Sequence, residues 1–391
     1  MKTISENKQT RFSIDSSNST DGIKNRREAI AGECNYLFQE KIFDSPEILK
    51  GNIENYIGMS MIPTGIIGPV KVNGNSAKGE FIVPLSTSEG ALVASYNRGA
   101  KACHEAGGVT SICLEEGVQR SPVFKFENLN DLGLFLNWVL NQETIFKQIT
   151  NDSSRFAQLK EMKVNVEGNH LTLTFDYSTA DASGQNMVTF CTENICNYII
   201  ENAPIQPKLW FIEGNFSGDK KATSLSFSQT RGKKVTAEII LPKEIVEKTL
   251  LTTPAAMFNY WLSSTIGVIQ SGAIGAQGHY ANGLAAIFIA TGQDIACVSE
   301  ASVGITRMEI TENGSLYAAI TLPNLIVGTV GGGTSLPTQK ECLQMMDCYG
   351  EGKAKKFAEI IGAVLLAGEL SIAAAISAGH FSSAHKKFGR K

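Results

Sequence analysis

Histidine is scarce and cysteine is scattered in this 391-residue chain, and together these shortages exclude most metal chemistry. The five histidines stand at 104, 170, 279, 380 and 385, with no HxxxH pair. His380 and His385 lie roughly 140° apart around a helix, so one face cannot offer both to a single ion. The eight cysteines form no CxxC pair and no short spacing that would clamp zinc. They are expected to be reduced, mostly buried thiols of a cytoplasmic protein with no metal. Basic excess is missing too: 35 Lys and Arg against 38 Asp and Glu leave a formal charge of -3. Neither a nucleic-acid footprint nor a polybasic membrane patch is expected. Residues 1–27 lack the apolar stretch of a signal peptide and read as a polar tail. Residues 249–293 hold no Asp, Glu, Lys or Arg, but Gly, Ser, Gln, Asn and Pro interrupt them. That pattern lacks the clean span of about 20 apolar residues a membrane helix needs, and predicts core helices.

What is present is an ordinary globular composition, 43% hydrophobic and 19% charged, long enough for two or three lobes. Residues 28–57 are expected to be helical, with a linker near Ser45-Pro46. The Gly/Pro-punctuated run 62–70 suits turns and short strands. A strand is expected at 81–85, followed by Ser86-Thr87-Ser88-Glu89-Gly90, whose hydroxyls are placed to cap a helix reaching His104. Between 123 and 212 the pattern reads strand, helix (130–146), a hairpin around Gly168-Asn169, helix (186–202) and strand (208–212). This β-α-β-β-α-β order predicts a ferredoxin-like unit inserted into a larger domain. Strands at 235–241, 307–310 and 317–322 and an Ala/Gly-rich helix at 353–378 complete the chain. The expected class is α+β: a polar tail over 1–27, a large substrate domain formed by 28–122 and 213–391, and an inserted nucleotide-binding domain over 123–212.

Four ionisable residues stand in unusual contexts. Glu89 adjoins an apolar helix, Lys220 follows a Gly-Asn turn, Asp294 ends the uncharged passage and His385 sits in a short basic tail. Each alone has a plainer explanation: a helix-start acid, a surface lysine, a buried cap, a solvated tail. Asp294 is the strongest case, because a carboxylate inside apolar sequence must be paired or neutral. A lysine is its natural partner, and an Asp–Lys–Glu cluster would shift all three ionisations toward useful proton donation. Two glycine-bearing segments, 181–187 before a helix and 328–334, can offer backbone amides to a pyrophosphate. Neither has the spacing of a Rossmann fingerprint or a phosphate loop, and either also suits a plain turn.

The segments 54–58, 62–65, 87–95, 97–99, 181–187, 219–221, 292–294, 328–334 and 367–371 together resemble the 3-hydroxy-3-methylglutaryl-CoA reductase family, more closely its class I form, over about 28–390. The resemblance implies a thioester reduced twice by NADPH to an alcohol and free coenzyme A. It implies that Lys220 stabilises the oxyanion, Glu89 donates a proton, Asp294 ties the two, and His385 protonates the departing thiolate. Ser154, Arg155, Phe156, Asp181, Gly184, Asn186, Gly331, Gly332, Gly333, Thr334 and Arg390 match cofactor contacts. Asn97, Arg98, His279, Asn282, Ser371 and Ile372 match the coenzyme A or acyl side. Arg120 with Asp219 and Lys221 would meet the distal carboxylate of the acyl group. The implied assembly is a homodimer or homotetramer with its site at the subunit interface. Two departures stand out: Glu213 replaces a serine, and Ser263-Ser264-Thr265 lacks the family's acyl-site lysine. Each change beside a carboxylate is worth up to ~4 kcal/mol before screening. Three readings therefore stay open: the hydroxymethylglutaryl-CoA reductase, a reductase of another acyl-CoA, and a non-catalytic acyl-CoA or nucleotide sensor on the same fold.

Overall fold

The computed structural model describes residues 19–22, 24 and 46–379. His385, Arg390 and most of the helix expected over 28–57 lie outside these residues. Of the described residues between 46 and 57, only Pro46–Leu49 form a helical turn. The helix does not extend to residue 57, because Gly51 and Asn55 take left-handed conformations with φ of 85° and 52°.

Strands β1 (Thr64–Asn73) and β2 (Lys78–Ser86) pair antiparallel. The run 62–70 thus enters a ten-residue strand instead of isolated turns, and Gly68-Pro69 forms the irregularity in its register. Helix α1 (Leu92–Glu105) follows. It starts from a left-handed Ala91 with no side-chain cap, so the expected Ser/Thr cap is absent. Thr87 accepts instead from the amide of Glu89 at 3.0 Å.

The main sheet is built from β3 (Thr110–Arg120), β4 (Val123–Lys125), β5 (Gln158–Glu167), β6 (His170–Ser178), β7 (Leu209–Phe211), β8 (Gly232–Leu241), β9 (Ile305–Ile310) and β10 (Leu316–Leu325). Its order is β7-β4-β6-β3-β8-β10-β9, with β5 on the other edge of β6, and every pair is antiparallel. Strands β4 to β7, with three helices between them, give the order β7-β4-β6-β5 of a ferredoxin-like unit. The helix expected at 130–146 is two, α2 (Leu129–Val139) and α3 (Glu143–Ser153). At the break, Asn141 and Gln142 donate to the carbonyls of Asn137 and Trp138, competing with a continuous backbone ladder. Helix α4 (Gln185–Asn202) completes the unit.

Two helices fill the uncharged passage, α5 (Pro254–Ser271) and α6 (Tyr280–Thr291), and they differ. Helix α6 is mostly buried, as expected of a core helix. Helix α5 buries only Pro254 and Met257 and presents Leu262, Ile266 and Ile269 to solvent at 44%, 51% and 71% exposure. Helix α7 (Pro337–Met345) precedes α8 (Ala354–Ser377), the centre of the core. Among the described residues α8 alone is long and apolar enough to cross a membrane, but it is largely buried inside the fold. Its close packing needs small residues: a Cβ on Gly99 would lie 1.8 Å from the carbonyl oxygen of Ala367. Glu359, fully buried on α8, accepts from the amides of Ser76, Ala77 and Cys113 and so ties the hairpin and β3 to the helix.

Candidate active site

Lys220 stands in a turn that the chain bends sharply, Gly218 at φ 76° and Lys220 itself at φ 56°. The preceding Asp219 is anchored by Arg231 at 2.6 Å and Arg120 at 3.4 Å. Burial opposes its charge, but Arg231 and then Arg120 outweigh that and hold its carboxyl below the ordinary range. Lys220 Nζ meets Asp294 Oδ2 at 3.1 Å. The hydrogen bond to Asp294 outweighs partial burial and raises the ammonium's pKa above lysine's usual value. The expected Lys–Asp pairing is therefore present. Its expected burial is not: the two side chains are 44% and 40% exposed. Asp294 is half exposed, because the chain surfaces where α6 ends at a left-handed Gly292.

Glu89 does not join this pair within one chain. Its two carboxylate oxygens accept from Asn282 Nδ2 at 3.2 and 3.0 Å, and Lys220 makes its ion pair, among the described residues, with Asp294 alone. The three residues thus divide between two cavities.

The first, of about 660 Å³, is lined by Lys220, Asp294, Gly184, Asn186, Gly292 and the loop 331–334. Helix α4 opens onto it from a left-handed Gly184 with no side-chain cap, so its first amides remain available for an anion. Gln293 ties the end of α6 to the 328–334 segment: its side-chain amide donates to the carbonyl of Gly328 at 3.0 Å and accepts from the main-chain N–H of Gly328 at 2.8 Å. Asp181, expected at the cofactor, is committed elsewhere. Its oxygens accept from Gly352 at 2.7 Å and Ala354 at 3.0 Å and hold the start of α8. Ser154, Arg155 and Phe156 line neither large cavity. The Ser154 hydroxyl accepts from the amides of Phe156 and Ala157, and the Arg155 guanidinium lies 5.8 Å from the Phe156 ring centre.

The second cavity, of about 520 Å³, is lined by Glu89, Tyr96, Arg98, His279, Asn282 and Ile372 among others. Arg98 donates to the Ser371 carbonyl at 2.6 Å and to its hydroxyl. Asn97 turns away and accepts from the amide of Gly68. His279 stacks on Tyr96 at 5.1 Å, and its Nδ1 meets Glu369 at 3.1 Å. Its Nε2 is buried with no partner among the described residues and belongs to a side chain on the cavity wall. Glu369 is fully buried, which works against its charge. His279 and the amides of Gly278 and His279 overcome that penalty and hold its carboxyl below the ordinary value.

Arg120, expected to meet the distal carboxylate of the acyl group, stands among carboxylates of its own chain. It is buried; its Nη1 meets Glu213 at 3.3 Å and Asp219 at 3.4 Å, its Nη2 donates to the carbonyl of Gln185, and its Nε has no partner among the described residues. Lys221 is exposed and donates to the Asp219 carbonyl at 3.0 Å. Ser264 and Thr265 lie on α5 beside a small cleft next to Glu369. Sequence reasoning missed Gln293, Arg231, Glu300 and Glu369. Their signal was weak, except that Gln293 adjoins Asp294 and a buried charge inside an apolar helix, as at Glu369, demands partners.

The profile of the family described as hydroxymethylglutaryl-coenzyme A reductase matches residues 22–390. The 3-hydroxy-3-methylglutaryl-coenzyme A reductase of Pyrococcus abyssi is 45% identical over 355 residues, 89% of this chain and 86% of that protein. That of Methanocaldococcus jannaschii is 42% identical over 362 residues, 91% of this chain and 88% of the relative. The reductase of Streptococcus pneumoniae superposes with a TM-score of 0.69 at 19% identity, over 84% of this chain and 88% of that one. Its class II structure bound to NADPH in open conformations gives the same TM-score at 20% identity and the same coverage. At such identities the superpositions show a shared fold.

Proposed function

Because the chain belongs to the hydroxymethylglutaryl-coenzyme A reductase family, we propose that it converts 3-hydroxy-3-methylglutaryl-CoA, two NADPH and two protons to mevalonate, coenzyme A and two NADP+. The observation that carries this reading is the Lys220–Asp294 pair facing a cavity walled by glycine loops and an uncapped helix end. The amides at 184–186 and the loop 331–334 would hold the cofactor's phosphates, and Arg155 and Arg390 would supply charge toward them. When bound, NADPH supplies the hydride. The Lys220 ammonium supplies the counter-charge for the oxygen that turns negative as the thioester carbonyl is reduced. Asp294 orients that ammonium and keeps it protonated. Glu89, held by Asn282, is assigned as proton donor, and His385 as the acid that protonates the thiolate. Arg98, Asn97, His279, Asn282, Ser371 and Ile372 are assigned to the coenzyme A or acyl side.

We also propose class I membership, on the segments quoted above, and a cytoplasmic homodimer or homotetramer. In one chain Glu89 and Lys220 line different cavities, and a partner subunit is the simplest way to bring them to one substrate. The exposed apolar side chains of α5 suit such a contact. One observation favours a second reading: Glu213 and Asp219 already neutralise Arg120, which disfavours a distal carboxylate there and suits another acyl-CoA. NADPH oxidation at saturating hydroxymethylglutaryl-CoA, compared with acyl-CoAs lacking a distal carboxylate, tests both. Preference for the carboxylate-bearing substrate supports the first reading, and turnover only without it supports the second. The absence of any turnover would turn the assignment to a sensor.

A further inference from the structure

Half-exposed ion pairs hold geometry weakly, because water competes for both partners. The Lys220–Asp294 pair is of that kind, so its aim must be set by something else. Beneath it, a second bridge joins the same two chain segments. Arg231 donates from Nη2 to Asp219 Oδ1 at 2.6 Å, one residue before Lys220. From Nε it donates to Glu300 Oε1 at 3.4 Å, in the turn that Asp294 begins. Its Nη1 donates to the carbonyl of Gln119, on β3, at 3.1 Å. Arg231 is 3% exposed and Glu300 0%, so water does not compete here. The carboxylate of Glu300 also faces the main-chain N–H of Lys220. Lys220 keeps a left-handed φ of 56°, which a side-chain-bearing residue holds only where its surroundings impose it.

We propose that Arg231 is a positioning residue: braced by Glu300, it holds the Asp219–Lys220 turn against the Asp294 segment so that the ammonium is aimed at the substrate oxygen. Arg231 lines neither large cavity, so it acts through Lys220 and not by touching a ligand. This deepens the reading above and rests on it, since it presupposes the oxyanion role of Lys220.

Removing Arg231 alone would strand Glu300 as an unpaired buried charge. The informative variant is therefore Arg231→Met with Glu300→Leu, which removes both charges and leaves Asp219 its contact with Arg120. In the full chain it is expected to melt near the parent temperature and to keep KM for NADPH and hydroxymethylglutaryl-CoA within about threefold, while kcat falls about 100-fold. The titratable groups that face the Lys220 amine are Asp294, Cys297 and Asp219. Loosened pairing with Asp294 lets that amine lose its proton earlier, so the alkaline limb of the rate profile moves to lower pH. Arg231→Lys keeps the charge but not the planar fork, and is expected to fall between parent and double variant. A folded double variant with parental kcat and pH profile overturns the proposal, as does one in which only KM rises. If the double variant does not fold, Arg231→Lys decides alone by the same readouts. Lys220→Ala is measured beside them: parental turnover there sinks the reading of function itself, whereas an inactive Lys220→Ala beside an unimpaired double variant sinks only the positioning role.

Discussion

Helix α6 begins at one large cavity and ends at the other, and the two are walled by different materials. Around Glu89 the polar surface comes from side chains: Arg98, His279 and Asn282 each present a defined donor or acceptor. Around Lys220 much of it comes from main chain, at 184, 292, 328 and 331–333. Side chains suit a ligand with varied groups at fixed places. Exposed amides suit phosphate, which accepts from many directions. In the proposed reading the contrast teaches that the acyl end and the nucleotide end are recognised by separate means, with the Lys220 ammonium lining the glycine-walled cavity.

The sharpest way to break this division is Lys220→Ala. It is expected to lower kcat about 1,000-fold while leaving coenzyme A affinity intact, measured by steady-state rates and by calorimetric titration. Glu89→Gln should cost about 100-fold in kcat with KM for NADPH unchanged, because the residue proposed as proton donor is lost from the other cavity. A change in NADPH affinity there would merge the two cavities into one functional unit.

Asp181→Ala separates a fold contact from a cofactor contact. As the carboxylate that serves the first amides of α8, Asp181 should cost about 1 kcal/mol of stability by denaturant titration when removed, with little change in KM for NADPH. A large rise in that KM with unchanged stability would restore the cofactor role.

The smallest effect expected is electrostatic. Lys220's folded pKa lies above its unfolded value, so the stability from its pair with Asp294 is complete below the unfolded value and is lost as pH rises through the folded one. Because both groups are well solvated, the amount is under about 1 kcal/mol. Thermal midpoints of parent and Lys220→Met should converge as pH rises through that alkaline window. A gap unchanged across it would mean that another group carries the effect.

How far the site was legible in the sequence follows the range of the interactions. The order of strands and helices over 123–212 was readable because hydrophobic alternation and turn residues act locally; the break at Leu140–Gln142, the run of α3 on to Ser153 and the start of β5 at Gln158 escaped. The Lys220–Asp294 pairing was readable from one charge at the end of an uncharged passage. The burial of that pair was misjudged, because apolar neighbours in sequence say nothing of where the chain surfaces. The partners of Arg120 escaped for a related reason: Glu213 and Asp219 lie about a hundred residues away, and only the folded sheet brings them to it. Asp181 fits the same lesson, since the amides it serves belong to a helix that begins at Ala354.

That last contact has a mechanical consequence. Helix α8 is a rod of 24 residues, about 36 Å long, and one carboxylate pins its first turn to the rim beside Gly184. Because the same carboxylate belongs to the glycine-bearing segment 181–187, fraying of that first turn and loosening of the pocket rim are one event, not two.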